Sequence, residues 1–325
     1  MLGARLIAAL RARAPQLRFA GIGGPMMQGE GLHSLFPQHD LAVMGLLEVL
    51  PRLPRLRRRL RETLADIAER RPDVLVTIDS PGFALRLLRA VGAGGPRRVH
   101  YVAPQVWAWR ESRVRHFPGL WDDLLCLLPF EPGFFARHGL AAEFVGHPVL
   151  QSGADRGNAA RFRAAHGVPA ESPVLVLMPG SRAGEVRRLL PVFAATLALL
   201  PAAVVPVVVA AAEGVAAEVR AAAAGWARPP IVVGTLAEKH DAFAAAAAAL
   251  TKSGTSTLEL ALAGVPMAVA YRLNPVSAAI GRRLIKVPHA ALVNLLAGRE
   301  VVPELLQERC RPALLAEVAG GLLAG

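Results

Sequence analysis

Two short stretches in the second half of the chain carry residue types suited to binding an anion. The first is PVLVLMPGSR (173–182), followed by AGEVRRLLP. An apolar run opens into Gly180, Ser181 and Arg182 just where a helix should begin. A strand-to-helix turn of this kind exposes unpaired N–H groups, and the arginine adds a fixed cation. Gly180 permits a tight backbone path, Ser181 supplies a hydroxyl, and Arg182 supplies a planar fork for phosphate oxygens. The G-x-x-x-x-G-K-[ST] spacing of a Walker loop is absent. The second stretch is LTKSGTSTLE (250–259). Ser253, Thr255 and Ser256 surround Gly254, with further hydroxyls at 251 and 257, before an apolar helix starts. Each turn alone can be a capped helix start. Two in one half of a chain, with five hydroxyls around one glycine, fit a diphosphate or a sugar ring better. Glu259 lies one turn into that helix, as a ribose partner or as a solvated face residue.

The first half carries a different set. In VLVTIDSPGF (74–83), Asp79 stands at the end of an apolar run. It can act as a general base or cap the next helix. In HYVAPQVWAWRESRVRHF (100–117), Trp107 and Trp109 are two apart and point to opposite sides of an extended segment. Arg110, Arg113 and Arg115 follow, so the loop suits an acceptor with a phosphate and apolar parts, or a core tryptophan beside a basic surface helix. His147 in GHP is a packed histidine or a hinge residue able to reach a ligand. Met44, Leu46 and Leu47 precede a run that includes Arg57 and Arg58. Apolar anchors beside a basic patch suit a membrane interface, and they equally suit a core helix followed by a solvated one.

These residues need a scaffold. The 325 residues suit two domains at about 150 residues each, and the apolar share of 53% suits sizeable cores. Helical spacing runs over 2–14, 53–71, 83–91, 158–166, 184–200 and 213–224. Strand candidates are 17–24, 72–79, 97–104, 122–129, 142–146, 174–178, 204–210, 230–234 and 267–273, the last clear strand. The alternation predicts an α/β protein of two doubly wound, Rossmann-like lobes, 1–150 and 151–325, facing across a cleft, with ligands at the carboxyl ends of the strands. The net charge of +12 favours anionic partners. No zinc knuckle, aromatic RNA-binding pattern or reader helix points to nucleic acid. Two cysteines far apart make neither a disulfide framework nor a metal cluster, and a reducing compartment follows most simply. No signal peptide or membrane span is apparent, so any membrane association should be peripheral.

Together LAVMGLLEVLPRLPRL, PDVLVTIDSPGF, HYVAPQVWAWRESRV, LPFEPGFF, FVGHPV, LMPGSRAGEV, TKSGTSTLELALAGVPMAVAYR and VNLLAGREVVPELLQE resemble the lipid-A-disaccharide synthase family across nearly the whole chain. The family is of GT-B type, with two Rossmann-like lobes. The resemblance implies an inverting transfer of 2,3-diacylglucosamine from UDP-2,3-diacylglucosamine to 2,3-diacylglucosamine 1-phosphate. The products are the β(1→6) disaccharide 1-phosphate and UDP. It implies no metal and no cofactor, the UDP-sugar being a substrate, and a place on the anionic inner face of the cytoplasmic membrane. Asp79 matches the family's base and Arg182 its donor-site arginine. Ser253 to Glu259, with Asn294 and Arg299, match its nucleotide side. Relative to the family pattern, the chain starts after the usual first strand and G-E-x-S-G-D loop, and it ends early. Two other readings stay open: a soluble nucleotide-sugar transferase or epimerase with a non-lipid acceptor, and a truncated non-catalytic remnant.

Overall fold

The computed structural model describes residues 2–41, 53–210, 213–274, 278 and 284–325. Met44, Leu46 and Leu47 lie outside the described residues. The chain divides into two compact units, Met1–His147 and Pro148–Gly325.

Unit 1 contains helices α1 (Leu2–Arg13), α2 (Pro25–Gly29), α3 (Leu53–Arg70), α4 (Pro81–Val91), α5 (Val106–Trp109) and α6 (Glu131–Ala136). Strands β1 (Val74–Ile78), β2 (Arg97–Tyr101), β3 (Asp123–Cys126) and β4 (Glu143–Phe144) alternate with them. The strands form one parallel sheet in the order β1-β2-β3-β4. The predicted strand at 17–24 does not form; only an isolated bridge joins Gly21 to Ser34. Gly21, Gly23 and Gly24 leave that segment few side chains to pack on a sheet. The core gathers Leu85 and Leu88 of α4 with Leu124, Cys126, Phe134 and Phe135. Cys126 is fully buried, as a small apolar residue would be.

One buried polar group interrupts this core. His100 on β2 is fully buried, shares a 2.7 Å hydrogen bond between its Nδ1 and Thr77 Oγ1, and stacks on Trp121. Its Nε2 is buried and, among the described residues, has no partner, so a charged ring would be poorly solvated.

Unit 2 contains α7 (Ala159–His166), β5 (Val174–Met178), α8 (Ala183–Leu197), β6 (Val205–Val209), α9 (Glu213–Ala224), β7 (Ile231–Val233), α10 (Leu236–Ala245) and β8 (Ala246–Thr251). It continues with α11 (Thr255–Leu262), β9 (Met267–Tyr271), α12 (Leu292–Ala297), β10 (Glu304–Leu306) and α13 (Pro312–Ala324). All paired strands are parallel, in the order β10-β9-β8-β5-β6-β7. Every residue of β5 is buried. Its side chains alternate between the two faces: Leu175 and Leu177 join the core beneath α8, α9 and α13, while Val174, Val176 and Met178 join the opposite one. That explains an unbroken apolar run in a doubly covered strand. The sequence predicts 267–273 as the last clear strand, but Glu304–Leu306 adds a further strand beside β9. Three residues are too short for an apolar period to reveal.

Burial pushes the His100 pKa down from 6.5 to about 4. Between those values the unfolded chain binds a proton that the folded one refuses, so stability is lost as pH falls from about 6.5 to about 4 and levels off below. The shift corresponds to roughly 3 kcal/mol. His100→Leu should flatten that part of the stability curve of unit 1, read by urea unfolding at stepped pH. An unchanged slope would show that His100 does not carry the effect.

Candidate active site

In unit 2 the chain leaves β5 toward β6 on one side and β8 toward β9 on the other, although β5 and β8 are neighbours. Diverging connections open a crevice at the carboxyl ends of such strands. Both glycine turns lie there. Met178 pairs with Thr251, and Lys252 N donates to Met178 O at 3.0 Å.

Charge is concentrated at this point. The Glu185 side chain, on the first turn of α8, is 8% exposed. Its Oε1 accepts from Arg182 Nη1 at 3.2 Å and lies 3.7 Å from Lys252 Nζ. Its Oε2 is buried and, among the described residues, has no hydrogen-bond partner. Two cations therefore face one carboxylate, leaving a net positive charge that an anion completes. Burial pulls the Lys252 pKa below the usual lysine value, with Glu185 opposing. Gly180 and Gly254 have φ of +117° and +141°, where an L side chain is strained. A Cβ at Gly180 would stand 2.5 Å from Glu185 Oε2, and one at Gly254 would stand 2.8 Å from Lys252 Nζ. The glycines thus serve both the backbone path and the packing of the charged pair. Lys252 carries no signal in the sequence, because next to SGTST it reads as a solvated lysine.

The hydroxyls behave differently from the sequence reading. Ser253 Oγ donates to Ala290 O at 2.6 Å, Thr257 Oγ1 to Gly254 O at 2.8 Å, and Ser256 Oγ bonds with Thr251 Oγ1 at 2.9 Å. These four brace the turn itself. Thr255 and Ser181 are the exposed hydroxyls. Glu259 is paired with Lys239 Nζ at 2.8 Å, so a ribose hydroxyl would have to share its carboxylate. Asn294 is fully buried; its amide accepts from Val301 N and Val302 N and donates to Val302 O and Glu304 Oε1. It therefore braces the loop rather than presenting a free amide to a ligand. Arg299 is exposed just after the helix-ending Gly298. Glu304, unremarked in the sequence, accepts from Ala290 N and Ala291 N at 2.8 and 2.9 Å. Through Ala290 it ties β10 to Ser253.

In unit 1, Asp79 follows β1 and its N–H donates to Tyr101 O at 2.9 Å. Asp79 and Ser80 both have φ of +49°. Consecutive left-handed non-glycine residues are strained, and such strain gathers at functional sites. The N-cap of α4 is Ser80, without a side-chain capping bond. Asp79 is thus no cap; among the described residues its exposed carboxylate has no hydrogen bond or ion pair. Trp107 and Trp109 sit on the helical turn α5, not in an extended segment. They still diverge, because two helical steps turn the chain by about 200°. Trp107 Nε1 donates to the buried Glu131 at 3.0 Å, while Trp109 is 41% exposed with Arg110 stacked 4.5 Å from its ring. Burial raises the Glu131 pKa. Arg57 and Arg58 are exposed on α3, and Arg58 pairs with Glu62. His147 ends unit 1 half-buried, and burial lowers its pKa. Among the described residues, no three His, Cys, Asp or Glu gather as a metal site.

Two parallel α/β units of these topologies match solved glycosyltransferases. The calicheamicin glycosyltransferase CalG4 aligns with a TM-score of 0.60 at 17% identity, covering 99% of this chain and 86% of that one. WaaG, a glycosyltransferase involved in lipopolysaccharide biosynthesis, aligns at 0.54 and 15% identity, covering 99% and 85%. At such identities the likeness defines the fold, the two-lobed GT-B type.

Sequence comparison goes further. The family model described as lipid-A-disaccharide synthetase matches residues 1–324. The lipid-A-disaccharide synthase of Granulibacter bethesdensis is 61% identical, over 99% of this chain and 83% of that protein. That of Pseudomonas aeruginosa is 43% identical, over 99% and 86%. The chain belongs to the lipid-A-disaccharide synthase family and is by that membership an inverting glycosyltransferase.

Calorimetric titration of UDP checks the unit 2 site. Arg182→Ala and Lys252→Met should each weaken binding, Arg182→Ala by roughly ten- to hundred-fold, the scale of one charge-assisted bond. Gly180→Ala should weaken it as well, by displacing Glu185. Wild-type affinity in both cation variants would remove the diphosphate from this site.

Proposed function

We propose that unit 2 holds the donor UDP-2,3-diacylglucosamine and that unit 1 presents the acceptor, 2,3-diacylglucosamine 1-phosphate. The Asp79 carboxylate takes the proton of the acceptor's 6-hydroxyl as that oxygen bonds to C1 of the donor sugar. Attack comes from the side opposite the diphosphate, so the C1–O bond to UDP breaks with inversion and a β(1→6) linkage results. The leaving diphosphate gathers charge as the bond lengthens. Arg182, Lys252 and the N–H groups of the Gly180 and Gly254 turns stabilise that charge, and fixed dipoles and cations need no reorganisation at the moment of transfer.

The observation that carries this reading is the state of Asp79: exposed, unpaired among the described residues and held in left-handed backbone at a strand end. An unpaired carboxylate is free to receive a proton from a positioned hydroxyl. We place the enzyme on the inner face of the cytoplasmic membrane, where its acylated substrates reside. Among the described residues no helix is long and apolar enough to cross a membrane, and the net charge of +12 favours an anionic lipid surface.

UDP release that requires both the UDP-sugar and the acylated sugar 1-phosphate tests the reaction; release indifferent to the acceptor would overturn it. In the same assay Asp79→Asn should lower turnover by roughly 10²–10⁴ while leaving UDP affinity within a few-fold. Turnover equal to the parent's would remove Asp79 from the chemistry.

A further inference from the structure

A cavity of about 490 Å³ opens in unit 1 beside Pro81, two residues after Asp79. One wall is a single face of α4: Gly82, Leu85, Arg86 and Arg89, spaced as a helix stripe. The other is the turn Glu111–His116, through Arg113 and His116. Leu85 and Phe117 line the cavity and are 7% and 2% exposed, as apolar residues of a floor would be. Arg89 Nη2 donates to His116 O at 3.2 Å, which joins the walls.

The charges here are unbalanced. Among the described residues no carboxylate lines the cavity, and none of Arg86, Arg89 and Arg113 is in an ion pair. Other arginines of unit 1 do have carboxylate partners: Arg59 pairs with Asp40 and Glu62, Arg70 with Asp66, Arg97 with Asp123 and Arg98 with Asp122. A second cavity, of about 380 Å³, is lined by Arg97 and Arg98 together with Asp122, so its cations are already paired. Three arginines converging on one hollow repel one another unless an anion joins them. A phosphate monoester, with a charge of about −1.5 to −2 at pH 7 and three acceptor oxygens, suits three guanidinium forks.

The dimensions also fit. Arg86 and Arg89 lie about 6 and about 10 Å along the helix axis from Gly82, the scale of a hexose ring with a phosphate beyond it. A Cβ at Gly82 would meet nothing within 4 Å, so that end is open. We propose that this cavity is a phosphomonoester subsite, in which Arg86, Arg89 and Arg113 hold the anomeric phosphate of the acceptor sugar. The 6-hydroxyl end of that sugar is then directed toward Asp79. The inference rests on the acceptor reading above and adds the place and the residues that select a phosphorylated sugar over its dephosphorylated counterpart.

The test is equilibrium binding, which needs no turnover. Short-chain 2,3-diacylglucosamine 1-phosphate and the same sugar without its phosphate are titrated into the full chain and into Arg86→Gln, Arg113→Gln and the double variant. All the replaced side chains are exposed, and thermal melting checks folding. The parent should prefer the phosphorylated sugar by roughly ten- to hundred-fold. The double variant should lose that preference to within about three-fold, each single variant should lose part of it, and UDP affinity should not change. Arg113→Lys should retain part, because it keeps charge without the fork. Phosphatidylglycerol vesicles separate the other source of the same chemistry. Sedimentation with them should be alike for parent and double variant. Preference retained in the double variant, or no preference in the parent, would overturn the proposal. So would loss of vesicle binding with the sugar preference intact, which would make the cavity a lipid headgroup site. Absence of acceptor-dependent UDP release with the preference present would strike the reaction and leave the subsite standing.

Discussion

A buried carboxylate with two cations around it sets the conditions for the rest of unit 2. Glu185 is held at the ends of β5 and β8 with Arg182 and Lys252 on one oxygen and none on the other. Removing a carboxylate from water is costly unless charge and hydrogen bonds replace its solvation. The arrangement therefore needs Gly180 to lie against Oε2 and Gly254 to lie against Lys252, both in backbone that glycine adopts readily. It also needs β5 and β8 to be adjacent while their onward connections part. The apolar strands and their double helical cover supply that frame. The Ser253–Ala290–Glu304 chain of hydrogen bonds then fixes the second turn from the far edge of the sheet.

Unit 1 meets a different constraint with similar means. Its sheet ends in backbone that side chains resist: Asp79 and Ser80 after β1, and Val102 after β2 with φ of +76°. A β-branched residue there is a clear outlier. Ladder bonds hold both places, from Asp79 N to Tyr101 O and from Val102 N to Leu125 O. The core around Leu88, Leu124 and Phe135 supports the strands beneath. The result is an acid displayed at a strand end rather than turned into a helix cap.

Much of this is legible in the amino-acid sequence. Strands buried on both faces announce themselves as apolar runs, so β5, β6 and β9 read directly. The glycine–hydroxyl turns and Asp79 were visible because few residue types suit those places. What failed to show has physical causes. The segment 17–24 reads as a strand by composition, yet its glycines leave it to a single bridge. β10 is too short to have a period. By the family resemblance Asn294 matches the nucleotide side, but in the structure its amide is committed on all sides. Lys252 is inconspicuous in the sequence because its character comes from Glu185, about seventy residues earlier in the chain. The basic cavity is likewise assembled from two segments, each of which reads alone as a solvated surface.

In the donor site proposed above, the diphosphate of UDP rests where β5 and β8 part. Diffraction from crystals of the chain grown with UDP measures this directly. Diphosphate oxygens should lie within hydrogen-bond distance of Arg182 and Lys252, with the Gly180 and Gly254 turns on either side. UDP bound in unit 1, or bound in unit 2 with its phosphates away from both cations, would contradict it.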